Sequence, residues 1–387
     1  MNFNQYVLDE VLRHGSAMPQ DLVKLCFQAA FGAEHLLEDV VSAKGYFYTE
    51  FERVIANNAS PMVEHISNTV DRVNLAAWKA AQLPPEWLFN LFVESTHAEM
   101  EVSGKVNNAD GLYHDSHSAT TIFATYISQV SELVETEQLP FSYDEWETYL
   151  LGYLAKHSIP AKVKPFADEL FMHQKLSAVH HSEKYRAAEK PAYRIISGNC
   201  RRLVPILAAA GQLNSTKNGG IIAIDGRAAA GKSTLAAGLA QIIGAGVIHM
   251  DDFFLPHELR TADRLQATGG NVHYERFSQE VLPFLTKGNQ DAFVYNIFDC
   301  RIMAINGQRE VKKSPWRVVE GAYSHSPQLG NYMDLRVFAS VDSTEQLRRI
   351  ATRNGVNAVE MFEQRWIPME ERYIAELDIE AKAKILV

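Results

Sequence analysis

The chain has 387 residues, of which 47% are hydrophobic and 22% charged, with a formal net charge of −10. That length suits two domains, each able to bury its own core. The acidic balance provides no global field for nucleic acid or an anionic membrane, so a phosphorylated ligand must meet a local positive site. Cys26, Cys200 and Cys300 are odd in number, far apart and lack CxxC spacing, which argues against a disulfide framework or a cysteine zinc site.

Taken in chain order, the polar, mixed-charge start MNFNQYVLDEVLRHG is unlike a signal peptide. No run of about 18 apolar residues follows, so no membrane span is expected and the cytoplasm is the expected location. Residues 1–190 are predicted to form a mostly α-helical domain. Segments such as PQDLVKLCFQAAFGAEHLLEDVV and ISNTVDRVNLAAWKAAQL carry apolar residues at helical spacing. The polar stretch His180–Ser197, with Pro191, is predicted to be the linker. A helix over about Asn199–Gln212 is expected next, then a loop at STKNGG.

Residues 199–387 change in texture. Ile221–Ile224, Gly246–His249, Arg317–Val319 and Leu335–Ala339 read as short buried strands separated by helical stretches. That alternation predicts an α/β domain with a doubly wound parallel sheet.

The run Gly226-Arg227-Ala228-Ala229-Ala230-Gly231-Lys232-Ser233-Thr234 fits G-x-x-x-x-G-K-[ST]. Chance supplies that pattern in about one chain in a hundred of this length, but here a strand precedes it and an Ala/Leu-rich helix follows. Glycines let successive N–H groups turn inward on phosphate oxygens. The candidate nucleotide contacts are Gly226, Ala229, Ala230, Gly231, Lys232, Ser233 and Thr234. Lys232 brings a point charge to the β- and γ-phosphates, and the Ser233 hydroxyl can ligate Mg²⁺.

Carboxylates follow at strand ends, where ligands of such sheets bind. Asp251 and Asp252 come directly after the second strand, and one of them can accept a proton from a substrate hydroxyl. A pair of solvated loop aspartates is the alternative. Glu320 ends the strand Val318-Val319 and is a candidate Mg²⁺ group, with a turn cap as the alternative. Asp342 reads as a helix start and Gly355 as its stop. Between them, Arg349 and Arg353 share one helical face and, with Arg348, are candidate lid arginines that neutralise a transferred phosphoryl group; a solvated basic face is the alternative.

The ordered set GRAAAGKST, HMDDFF, NVHYERF, VVEGAY and LRRIATRNG resembles the uridine kinase and phosphoribulokinase-like P-loop kinases. HMDDFF is also similar to the equivalent segment of nicotinamide riboside kinases. The resemblance covers about residues 219–373 and implies ATP and Mg²⁺ as cofactors. It implies a catalytic base at Asp251 and a catalytic role for Lys232, Arg349 and Arg353. It places the metal near Ser233, Glu320 and Asp251, with Arg348 on the nucleotide. Uridine kinases carry a ribose-binding Asp in N-x-D-H-P, where this chain has His273; their Y-D-x-x-x-H-x-R segment is only loosely echoed from Tyr295 to Arg301. The kinase expectation stands without the uridine one. The N-terminal half resembles a bacterial domain that implies no activity.

Ten of the fourteen histidines precede residue 182. Glu34-His35, Glu94 with His97, His114-Asp115 with His117, and His180-His181 are candidates for a metal or small-ligand site, the alternative being histidines satisfied by hydrogen bonds. The expected function is transfer of the ATP γ-phosphoryl group to a hydroxyl of a small metabolite, a nucleoside-like one being the first candidate, with neither nucleic acid nor membrane as partner. The rivals are a nucleotide-driven switch acting on the N-terminal domain, and a kinase fused to a metal-dependent enzyme. Against GTP as the nucleotide, the chain lacks N-K-x-D, and against a transporter ATPase it lacks L-S-G-G-Q.

Overall fold

The computed structural model describes residues 3–33, 39–104, 116–137, 139–156, 176, 178–286 and 288–387, with backbone alone for 97–104 and 116–118. The chain divides into two compact units, Met1–Arg201 and Arg202–Val387. Among the described residues no helix is long and apolar enough to cross a membrane.

Helices dominate the described part of the N-terminal unit, among them Phe3–Arg13, Pro19–Phe31, Val40–Arg53, Pro85–Gly104, Ser116–Thr136 and Tyr143–Lys156. Local chemistry sets their starts. The Asp39 carboxylate accepts from Val41 and Ser42 N–H, and the Asn74 side chain caps Leu75–Ala80 in the same way.

The unit also contains an antiparallel sheet that apolar periodicity did not reveal. Its strands are β1 (Val63–His65), β2 (Val70–Asn74) and β3 (Tyr193–Ser197), in the order β1-β2-β3. Central strand β2 buries Val70, Asp71, Arg72 and Val73 alike, so no hydrophobic alternation marks it. Arg72 is buried because its Nη1 donates to Glu10 at 2.7 Å and to the Tyr6 hydroxyl at 3.0 Å, while its guanidinium lies 4.4 Å from the centre of the Tyr193 ring. The expected linker at His180–Ser197 is therefore corrected. It holds the helix Glu183–Glu189 and strand β3, and the division falls at Arg201–Arg202.

The C-terminal unit is built on a five-stranded parallel sheet. Its strands are β4 (Gly220–Gly226), β5 (Gly246–His249), β8 (Trp316–Glu320), β9 (Leu335–Ala339) and β10 (Ile385–Leu386), in the order β10-β9-β4-β8-β5. Ile222, Ala223, Ile224, Val318 and Val337 have no exposure, so both faces are covered, as the continuous apolar strands require. A two-stranded hairpin of β6 (Phe293–Asp299) and β7 (Ala304–Val311) stands apart from this sheet. The strands read from the sequence are present. The helix before β4 runs Leu203–Lys217, so Ser215, Thr216 and Lys217 are helical, and the loop begins at left-handed Asn218 (φ 51°).

Strand β4 lies between β8 and β9; the chain passes from β4 to β5 on the β8 side, and later from β8 to β9 on the other side. In an open α/β sheet the crevice for a ligand opens at the carboxyl ends of such strands.

Candidate active site

The loop after β4 is shaped by its glycines. Gly226 has φ 138°, and a Cβ there would lie 1.9 Å from the Ala339 carbonyl oxygen of β9. No side chain fits that approach. Ala229 takes a left-handed conformation at φ 57° and Gly231 another at φ 87°, and between them the Ala230 N–H closes a tight turn by donating to the Arg227 carbonyl at 3.1 Å. The helix Lys232–Ile243 starts there and directs its positive end at the same point. The Lys232 ammonium is held by the loop itself, donating to the carbonyls of Gly226 at 2.7 Å and Arg227 at 2.9 Å.

A cleft of about 750 Å³ opens above this loop. Ala229, Gly231, Lys232, Ser233 and Thr234 line it, and so do Asp251, Glu320, Arg349 and Arg353. Gly226 and Ala230 lie beneath the loop instead: Ala230 is buried and its carbonyl accepts from Arg202 at 2.9 Å. Glu320, at the end of β8, is buried; its Oε2 accepts from the Ser233 hydroxyl at 3.1 Å and its Oε1 lies 2.5 Å from His249 Nδ1.

The two adjacent aspartates part company. Asp252 is buried and committed to packing, accepting from the Tyr295 hydroxyl at 3.0 Å and from Arg309 Nε at 2.8 Å. Asp251 keeps a surface open to the cleft although protein atoms crowd it on most sides. That crowding, and after it the Glu320 carboxylate, push its carboxyl above the ordinary Asp range, with Lys232 and Arg353 pulling the other way.

The helix Ser343–Asn354 has the ends expected of it. The Asp342 side chain accepts from Glu345 N–H at 3.0 Å, and Gly355 at φ 87° ends it. Arg349 reaches the Ala229 carbonyl at 3.2 Å. Arg348 is corrected: it does not line the cleft, and its guanidinium makes two bonds, at 2.6 and 2.8 Å, to Glu345 on the exposed side. One residue along a helix is about 100° of rotation, enough to take it off the shared face.

Other groups in the cleft were not singled out from sequence. Asn271 is buried, and its Oδ1 has no hydrogen-bond partner. Phe254, Leu265, Phe362 and Trp366 add apolar and aromatic surface, the last two from the π-helical turn Phe362–Trp366. Glu370 also lines the cleft. His273 does not; it caps the helix Tyr274–Glu280 and its Nδ1 lies 3.1 Å from Glu275.

The donor set suits a hard divalent cation such as Mg²⁺. A hydroxyl and a carboxylate oxygen already meet at Ser233 and Glu320, and Asp251 lines the same cleft. Among the described residues no group of three His, Cys, Asp or Glu side chains could hold a metal ion. The fit is thus to an ion completed by phosphate and water oxygens. Of the N-terminal histidine candidates, Glu34, His35, His114 and Asp115 lie outside the described residues, as do the side chains of His97 and His117. His181 is a satisfied structural histidine, bonded to Asp21 Oδ1 at 2.9 Å and the Tyr193 hydroxyl at 2.7 Å.

No protein-family model matches the chain, and no curated protein matches it. Among solved structures, it is similar to one described as a possible uridine kinase from Bacillus stearothermophilus, at 19% identity and a TM-score of 0.35, over 48% of this chain and 97% of that one. It is also similar to one described as a fructose transport system kinase from Silicibacter sp. TM1040, at 23% identity and a TM-score of 0.35, over 44% of this chain and 89% of that one.

Proposed function

We propose that the C-terminal unit is an ATP-dependent kinase that transfers the γ-phosphoryl group to a hydroxyl of a small molecule. The observation that carries this reading is convergence. The phosphate loop, the Ser233–Glu320 oxygen pair and the solvent-open Asp251 line one cleft, while neighbouring Asp252 is used up in packing. In this reading the start of the helix Lys232–Ile243 and the Lys232 ammonium hold the phosphates, and Ser233 and Glu320 position the metal. Mg²⁺ bound there neutralises phosphate charge. Asp251 accepts the acceptor's hydroxyl proton, a task suited to a carboxylate whose proton affinity is raised by crowding and by Glu320. Arg349 and Arg353 offset charge on the transferred group.

Beyond the loop the cleft continues to Asn271, Phe254 and Trp366, which is room for an acceptor that a nucleotide switch has no need of. Phe254, Phe362 and Trp366 favour a ring or an apolar body.

The test is ADP release with Mg²⁺ and ATP against nucleosides, ribosides, sugars and vitamins. A rise with one acceptor class, uridine ranking low because His273 points its capping nitrogen into its own helix, supports the reading. ATP binding with no acceptor-dependent ADP from any class would favour the switch.

A further inference from the structure

Glu370 occupies a place that a phosphate loop ordinarily keeps for its ligand. Its Oε2 accepts from the N–H of Ala228, in the loop, at 2.7 Å. Its residue is 7% exposed, and that remnant faces the cleft. Neighbouring contacts fix this placement. On the helix Ile367–Glu376, the Tyr373 hydroxyl donates to Asp225 Oδ2 at 2.7 Å, and Glu371 takes Arg227 Nε at 2.7 Å. Both partners flank the start of the loop, so the intervening carboxyl is pressed against it.

The charged and titratable groups around Glu370 come from three directions. Lys232 on the loop's helix attracts its anion; Asp225 at the end of β4 and Glu371 on its own helix repel it; the Tyr323 phenol lies close as well. Arg227 is engaged by Glu371 and Glu380. An ionised Glu370 would therefore share a crowded cleft with a polyanionic ligand, and like charges at such range strongly disfavour one another.

We propose that Glu370 contacts bound nucleotide as a neutral carboxylic acid, taking up one proton from solvent as the ligand binds and donating that O–H to a phosphate oxygen at the loop. The inference rests on the reading of the loop as a nucleotide site. The proton leaves hydronium or a buffer acid, whose bond to it breaks as the carboxyl O–H forms; no other covalent bond is made or broken.

Burial, with Asp225 and Glu371 adding to it against Lys232, already pushes the Glu370 carboxyl up to about 7 in the free protein. Bound phosphate raises it further. Proton uptake on binding is then greatest between the free and bound values. Above pH about 7 the wild-type affinity loses up to about tenfold per pH unit, beyond the slope of the ligand's own titration. Below pH about 7 that extra slope disappears, because the free carboxyl is already protonated.

The experiment is calorimetric titration of the full chain with Mg²⁺ and β,γ-imido ATP at pH 6 and pH 8, in buffers of different protonation enthalpy. The Glu370→Gln variant serves as a permanently neutral mimic that keeps an acceptor for Ala228 N–H and a donor for phosphate. At pH 8 wild type is expected to take up close to one more proton than the variant and to bind about tenfold more weakly, with the difference gone at pH 6. Equal proton counts and equal pH slopes in the two proteins would overturn the role of Glu370 while leaving the nucleotide site intact. Absence of binding to both folded proteins would overturn the nucleotide reading and this inference with it. Should the variant not fold, the ligand-induced infrared difference spectrum of wild type at pH 8 decides the matter: a new protonated-carboxyl band supports the proposal, and none sinks it.

Discussion

The two units each bury charge, and they do so to opposite ends. In the N-terminal unit Arg72 donates through both Nη atoms to Tyr6, Glu10 and Gln28, and its guanidinium face stacks on Tyr193. The group is turned inward, tying the helix Phe3–Arg13 and the helix Pro19–Phe31 to strand β2. In the C-terminal unit the buried or crowded acids Asp251, Glu320 and Glu370 all line an open cleft. Buried charge paired within its own unit is architecture, even though Arg72 Nε makes no hydrogen bond of its own. Buried charge left facing a cavity is held in an unfavourable state that a ligand can relieve, which is the usual condition of groups that do chemistry.

The sharpest way to break this contrast is to remove an acid from the inward network. Glu10→Ala leaves Arg72 buried without its carboxylate and is expected to destabilise the N-terminal unit by about 3–5 kcal/mol. Calorimetry of the full chain should show one transition falling, while a second, raised by Mg²⁺ and ATP, stays in place. A single transition that falls as a whole, with loss of ATP affinity, would mean the units do not hold charge for separate purposes.

That expectation shows where the sequence was legible. The C-terminal sheet could be read because its strands are continuous apolar runs, Ile221–Ile224 and Val318–Val319 among them, and because the loop after β4 needs glycine where a Cβ would strike Ala339. The start of the helix Ser343–Asn354 was legible because Asp342 bonds its own backbone three residues on. Strand β2 was not, since an ion pair made between distant segments allows Asp71 and Arg72 to sit where apolar residues would otherwise mark a strand. Glu370 was not legible either. No spacing links it to the loop; the Arg227–Glu371 and Tyr373–Asp225 contacts bring it there. Adjacent positions were the hardest to part: nothing in HMDDFF says that Asp251 faces the cleft while Asp252 meets Arg309 and Tyr295.

The smallest expected effect belongs to the arginine that the helix Ser343–Asn354 turns away. Arg348→Ala removes an exposed, solvent-screened pair with Glu345. ATP affinity and turnover should stay within about twofold of wild type, as steady-state kinetics would show. A clear loss of either would return Arg348 to the site.

The most direct test of phosphoryl transfer at this cleft sets the two neighbouring aspartates against each other. With the best acceptor from the screen, Asp251→Asn should lower turnover about 10²–10⁴-fold while ATP affinity is retained, because the amide keeps the shape and loses the proton acceptor. Asp252→Asn should instead lower stability, through its bonds to Arg309 and Tyr295, with turnover per folded molecule within about tenfold of wild type. The reverse pattern, near wild-type turnover at Asp251→Asn and none at a folded Asp252→Asn, would contradict the account.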